Sequence, residues 1–343
     1  MMPAKVDDVD YINFLVAAQR MFTCTEASRS QPSDSDPGVM PAHDSFNRLL
    51  ERSFSFDGDS LWSESKQLVK LDDGVLVLDD STLDKPYARK MELVTRHWSG
   101  KHHRVVLGIN LITTLWTDGE RLIPCDFRVY DKPMGEEEGP FGGKDKNEHF
   151  RDMLRAAKQR GFNPRYVVFD SWYTALDNLK LIRSLGWHWL ARMKGNRLVN
   201  PDAIGNVSIS SVEIPPQGMT VHLKGYGFVK IFKTVSTNGD VEYYATDHLE
   251  MKQQKECEEL SGQGWGIEVY HRGIKQCCGV ERSQVRKATK QISHISLSLR
   301  AFIRLETNRG RTDKSWYESK ISIIRGAVKS YLTNPTFTLG PNA

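Results

Sequence analysis

Gly74-Val75-Leu76-Val77-Leu78-Asp79-Asp80-Ser81-Thr82 is the stretch that decides the fold. Gly74 to Leu78 reads as a buried strand, and Asp80 closes its apolar run. A carboxylate at the tip of such a strand is costly unless it is paired or binds a metal. Neighbouring side chains on a strand point to opposite faces, so only one of Asp79 and Asp80 faces a shared site. Asp80, at the end of the apolar run, is the candidate with Asp79 as its nearest competitor, and Ser81 and Thr82 offer hydroxyls to hold the carboxylate. The plain alternative is an Asp- and Ser-rich turn after a strand.

Working outward, Arg104 to Ile112 is long and apolar, as in a strand covered on both faces. Thr117-Asp118-Gly119-Glu120 is a turn, and Leu122 to Tyr130 continues as its hairpin partner. Asp131 to Lys146, with Gly135, Gly139, Gly142 and Gly143, reads as an exposed loop. Asn147 to Arg160 carries Phe150, Met153, Leu154 and Ala157 at helical spacing. Tyr166 to Phe169 is a second apolar strand, Leu176 to Ile182 a helix ended near Gly186, and Trp187 to Met193 a strand. This succession predicts an α/β protein, a mixed sheet with flanking helices. Short strands around Val207, Val221, Val229 and Val241 make residues 197–250 a β-rich insertion. Helices return from about Gly264 to about Leu332. Residues 1–70 read as an N-terminal helical region, with a loop from Ser28 to Pro41. The domains expected are therefore 1–70, 71–196, 197–250 and 251–343.

The second apolar strand also ends on an acid, in Asp170-Ser171-Trp172-Tyr173. Ligands bind at this edge of α/β sheets. The alternative is that Asp170 only caps the next helix. Trp172 and Tyr173 suit a core, or a stack against an unpaired base. A third acid, Glu268, shares a helix face with Arg272 and Lys275. Spacing alone favours a surface ion pair between Glu268 and Arg272.

Taken together, these segments resemble a DDE transposase of the bacterial insertion-sequence type, in the insertion-sequence-four-like group. Asp80-Ser81-Thr82 is similar to the first motif of that group. Val168-Phe169-Asp170-Ser171-Trp172-Tyr173 is similar to the second, and Glu268 with Lys275 to the third. Ser261 and Gly264 stand where the third motif has Tyr and Arg. The resemblance spans roughly residues 70–310. It implies a ribonuclease H-like core, with a β insertion ahead of the helix that bears the third acid.

The resemblance further implies Asp80, Asp170 and Glu268 as catalytic ligands of two Mg²⁺ ions, with Mn²⁺ as a substitute. Paired hard cations on oxygen ligands suit phosphodiester cleavage. The implied partners are double-stranded DNA, as terminal inverted repeats and target, and a second copy of the chain on paired ends. Arg272, Lys275, Arg282, Arg286, Lys287, Lys290 and Trp172 are the expected DNA contacts. The other readings are an inactive DNA-binding relative and a ribonuclease H-like nuclease that is not a transposase.

The charge distribution fits a polyanion partner. Residues 1–80 hold 7 lysines and arginines against 15 acids, whereas residues 268–330 hold 14 against 5. A basic block of this kind displaces counterions from nucleic acid, although a solvated helix face has the same composition. The 5 cysteines form no Cys-x-x-Cys pair, which argues against structural zinc and for a reducing compartment. No apolar stretch reaches membrane-spanning length and no secretory signal is evident, so a cytoplasmic, nucleoid-associated protein is expected.

Overall fold

The computed structural model describes residues 5–32, 41–52, 58–100, 102–132, 143–236 and 239–337. In chain order the elements are α1 (Asp8–Ala17), α2 (Cys24–Arg29), α3 (His43–Arg52) and α4 (Asp59–Ser65), followed by β1 (Val75–Asp84), β2 (Thr95–Ser99), β3 (Arg104–Thr117) and β4 (Leu122–Tyr130). Next come α5 (Lys146–Gln159), β5 (Tyr166–Phe169), α6 (Leu176–Ser184) and β6 (His188–Met193). The remainder is β7 (Leu198–Val199), β8 (Val207–Ser208), β9 (Met219–Leu223), β10 (Gly227–Val235), β11 (Val241–Thr246), α7 (Gln254–Cys277), α8 (Ala288–Thr312) and α9 (Trp316–Thr333). Most of the loop expected at 131–146, part of that at 28–41, and Asn238 of the Asn238-Gly239 turn lie outside the described residues. No helix among the described residues is long and apolar enough to cross a membrane.

The chain divides into two compact units, one of residues 56–271 and one of residues 1–55 with 272–343. The first holds the sheet. Among the described residues nine strands join in the order β2-β3-β1-β5-β6-β11-β10-β9, with β4 also on β3. β1 runs antiparallel to β3 and parallel to β5, and β5 runs parallel to β6. A hairpin-first mixed sheet with helices on its faces is a ribonuclease H-like arrangement. Three strands of the insertion do not stand apart: β11 pairs with β6, so β11, β10 and β9 extend the same sheet, whereas β7 and β8 form a separate two-stranded one.

Side-chain alternation divides this sheet into two faces. Leu76, Leu78, Val167 and Phe169 pack into one cluster with Phe150, Met153 and Leu154 of α5 and with Leu179 and Ile182 of α6. Val77 and Val168 sit in register on adjacent strands and point the other way. That second face is where α7 packs. A Cβ added to Gly264 would meet Val168 Cγ1 at 2.7 Å, and one added to Gly266 would meet Leu122 Cδ2 at 2.7 Å.

Three expectations change here. β1 does not stop at Leu78 but continues to Asp84, because β3 pairs with it residue by residue from Val75↔Thr117 to Asp84↔Gly108. α7 begins at Gln254 rather than near Gly264, so Glu268 lies well inside it. Buried Cys257 and Leu260 anchor its first turns. Two of its glycines, Gly264 and Gly266, are contact points that let the helix sit close to the sheet. Gly264→Leu should therefore cost about 1–3 kcal/mol, the range for forcing bulk into a packed interface. A shift in thermal midpoint checks this, and an unchanged midpoint would mean α7 tolerates the extra volume.

Finally, Arg282, Arg286 and Lys287 do not lie on a helix. They occupy the connection between α7 and α8. Gly279 interrupts the helix with φ +63, where a Cβ would strike the Phe22 ring at 2.4 Å. In the same unit Lys287 and Lys290 both reach Glu51, at 3.1 and 3.8 Å. Arg282 and Arg286 remain exposed.

Candidate active site

Asp79, Asp80 and Asp170 of the 56–271 unit lie around the middle of β1 and the end of β5. Leu78 is in register with Phe169, so Asp79 and Asp170 follow as the next neighbours on two parallel strands. Asp170 keeps an extended backbone, with φ −81 and ψ 177, so the alternation carries through it. Asp79 and Asp170 therefore share the face of Val77 and Val168, the face that α7 covers through Gly264. Glu268, one helical turn beyond Gly264, is exposed on α7.

The electrostatics follow from this neighbourhood. Burial pushes the Asp79 carboxyl well above the ordinary carboxylate range, and the negative charges of Asp80, Asp170 and Glu268 each add to the rise. Asp170 is also shifted up, first by desolvation and then by Asp80, although its carboxyl accepts the Trp172 N–H at 2.9 Å. Directly across from Asp79 in the ladder is Thr113, whose buried Oγ1 has no hydrogen-bond partner among the described residues.

Asp80 points to the opposite face and is already engaged. Asn110 Nδ2 donates to its Oδ2 at 2.6 Å, Lys146 Nζ to the same oxygen at 2.8 Å, and the Tyr173 hydroxyl to Oδ1 at 2.8 Å. Burial alone would raise this carboxyl. Lys146, with the Asn110 and Tyr173 hydrogen bonds, outweighs burial and holds it below the usual range. Tyr173 is itself fixed, stacked on Phe150 at 4.9 Å between ring centres. Lys146 sits in the first turn of α5, where a reciprocal cap between Asp145 and Glu148 starts the helix.

The two departures from the third motif have local structural roles. Gly264 fits against Val168, and Ser261 Oγ donates to the Tyr244 hydroxyl at 2.7 Å. Tyr244 in turn donates to Glu242, which pairs with Arg192 at 2.9 Å.

Residues 42–208 match the family model described as DDE superfamily endonuclease, and residues 140–303 match the one described as Transposase DDE domain. The two matches support a DDE transposase. No curated protein matches the chain. The first DDE match contains Asp79, Asp80 and Asp170, the second Asp170 and Glu268.

DDE nucleases act on DNA and generally use divalent metals. The donor chemistry here fits such a cation: carboxylates are hard oxygen ligands, and mutual repulsion at Asp79 is what a bound cation relieves. Among the described residues no group of three His, Cys, Asp or Glu side chains is drawn together to ligate a metal.

Lys146 was missed in the sequence. It follows a glycine-rich loop and lies 66 residues from its partner Asp80, so no local pattern reveals it.

Proposed function

We propose that this chain is a transposase of the insertion-sequence-four-like group, cleaving DNA at the ends of an insertion sequence and joining the freed ends to target DNA. We further propose that Asp79, Asp170 and Glu268 are its metal-holding acids, with Asp79 in the place the sequence reading gave to Asp80. The observation that carries this is the register of β1 and β5. It sets Asp79 beside Asp170 on the face covered by α7, while Asp80 is bonded to Lys146, Asn110 and Tyr173 on the other.

Two Mg²⁺ ions, or Mn²⁺ in their place, would supply Lewis-acid activation of the attacking oxygen and neutralise the leaving one. The protein's own groups do the rest. Asp170 is oriented by the Trp172 N–H, and burial disfavours the charged form of both Asp79 and Asp170, an effect a bound cation opposes. Lys146 places a positive charge beside the acids, and its field lowers the Asp170 carboxyl. Arg272, Lys275, Arg282 and Arg286 supply backbone phosphate contacts, which position DNA without reading its sequence. A second copy of the chain on paired ends completes the reading.

The test uses a supercoiled plasmid carrying the gene with its own flanking DNA, incubated with the protein and Mg²⁺ or Mn²⁺. Cleavage is expected at the element boundaries, and Asp170→Asn or Glu268→Gln should reduce it at least about a thousand-fold, roughly 4 kcal/mol of transition-state stabilisation. DNA binding without cleavage by the wild type would sink the catalytic reading. Cleavage at random duplex sites would sink the transposase part of it.

A further inference from the structure

Trp172 is a large side chain beside the candidate ligand Asp170, and it is 58% exposed. The two residues that follow it are not. Tyr173 and Thr174 are buried, Tyr173 is hydrogen-bonded to Asp80, and the Trp172 N–H is held by Asp170 at 2.9 Å. A hydrogen-bonded backbone therefore presents a largely exposed indole to solvent, two residues from a candidate metal ligand. Two ammonium groups lie over that ring, Lys146 Nζ at 5.7 Å and Lys194 Nζ at 6.0 Å from its centre. Trp172 follows β5 and Lys194 follows β6, and these strands are parallel neighbours. Their carboxyl ends are where an open α/β sheet takes its ligand.

We propose that Trp172, flanked by Lys146 and Lys194, seats an unstacked nucleobase whose adjoining phosphates are bound by the two lysines. The proposal rests on the reading of this chain as an enzyme acting on DNA. An aromatic face between cations matches a nucleotide's combination of π surface and anionic ester. Lys146 is fixed by Asp80, whereas Lys194 is exposed. Base stacking is stronger than an exposed cation–π contact, so an arriving base displaces Lys194 from the ring and leaves its ammonium for a phosphate. A base inside a duplex cannot reach this ring. The ligand is therefore a single-stranded tail or a base swung out of the helix, and unpairing costs least where the duplex is already interrupted.

Binding of labelled DNA is measured by fluorescence anisotropy in EDTA, so that metal-dependent chemistry plays no part. Three probes share one sequence: a blunt duplex, the duplex with a thymidine tail, and the duplex with one extra unpaired base. The wild type should bind at least one interrupted probe about ten-fold more tightly than the blunt duplex. Trp172→Ala should erase that preference, while Trp172→Phe retains most of it. Lys194→Ala should weaken binding of the preferred probe and reduce its salt dependence. A tail preferred over the extra base identifies a strand terminus as the ligand, and the reverse identifies a flipped base. Equal binding of all three probes, or a preference that survives Trp172→Ala, overturns the proposal. Loss of metal-dependent cleavage with this preference intact counts against the catalytic reading alone.

Discussion

Asp79→Asn is expected to abolish metal-dependent cleavage, by about a thousand-fold or more, and at the same time to make the metal-free protein more stable. The activity loss follows from removing an anionic ligand, at roughly 4 kcal/mol for that factor. The stability gain follows from the direction of the Asp79 shift. Burial, then Asp80, Asp170 and Glu268, raise this carboxyl in the folded state. A folded-state value above the unfolded one means the native protein holds this proton more tightly. Below the ordinary aspartate range both states are protonated and Asp79 does not oppose folding. As pH rises past that range the unfolded chain releases its proton first, and stability falls until the folded carboxyl ionises too. Asparagine mimics the protonated form and has nothing to lose. The two thermal midpoints should therefore meet at acid pH and separate toward neutrality, with the variant higher. Mn²⁺ should reverse the order, because a cation binds the ionised form and stabilises only the protein that has it. Melting curves across this range, in EDTA and in Mn²⁺, check each part. Parallel pH profiles for the two proteins, or normal cleavage by the variant, would take Asp79 out of the site.

How much of this was legible depended on whether the information was local. The apolar runs at Val75 and Tyr166, each ending on acid, placed β1 and β5 and their carboxyl ends. The turn at Asp118-Gly119 fixed the hairpin of β3 and β4. Alternation already said that Asp79 and Asp80 face opposite ways. It could not say which face would be covered by α7, because that depends on Gly264 meeting Val168 nearly a hundred residues away. The same glycines concealed the start of α7, since helix propensity counts them as a cost and tertiary contact overrides it. The length of β1 was hidden for a related reason. Asp79 to Thr82 has poor strand propensity, and its extended form comes from pairing with β3 rather than from its own residues. Lys320 is a case from the other unit. It is buried on α9, and its ammonium donates to the carbonyls of Val16, Ala18 and Cys277 at 2.9, 2.8 and 2.6 Å, contacts that no local pattern announces.

Asp80→Asn tests the same division of labour from the opposite face. Asp80 lies below the usual carboxylate range in the folded state, because Lys146, Asn110 and Tyr173 together outweigh burial. It thus contributes stability that is present above the unfolded-state aspartate value and is lost as pH falls through the folded one. Replacing it leaves the Lys146 ammonium, whose side chain is only 18% exposed, without its counter-ion. The expected cost at neutral pH is about 1–3 kcal/mol, the range for stripping a hydrogen-bonded partner from a buried polar group. The cost should shrink as pH falls, opposite in sign to the Asp79 result. Lys146→Met added to Asp80→Asn should recover part of it, since the two side chains form one pair and their effects are not additive. Metal binding, followed by the paramagnetic signal of Mn²⁺, should survive Asp80→Asn and fail in Asp79→Asn. Cleavage should fall less than with Asp79→Asn, through displacement of Lys146 and Tyr173 rather than loss of a ligand. If Asp80→Asn instead loses Mn²⁺ while its melting curve is unchanged, the acid that completes the site is Asp80. The carboxylate facing α7 would then be the structural one.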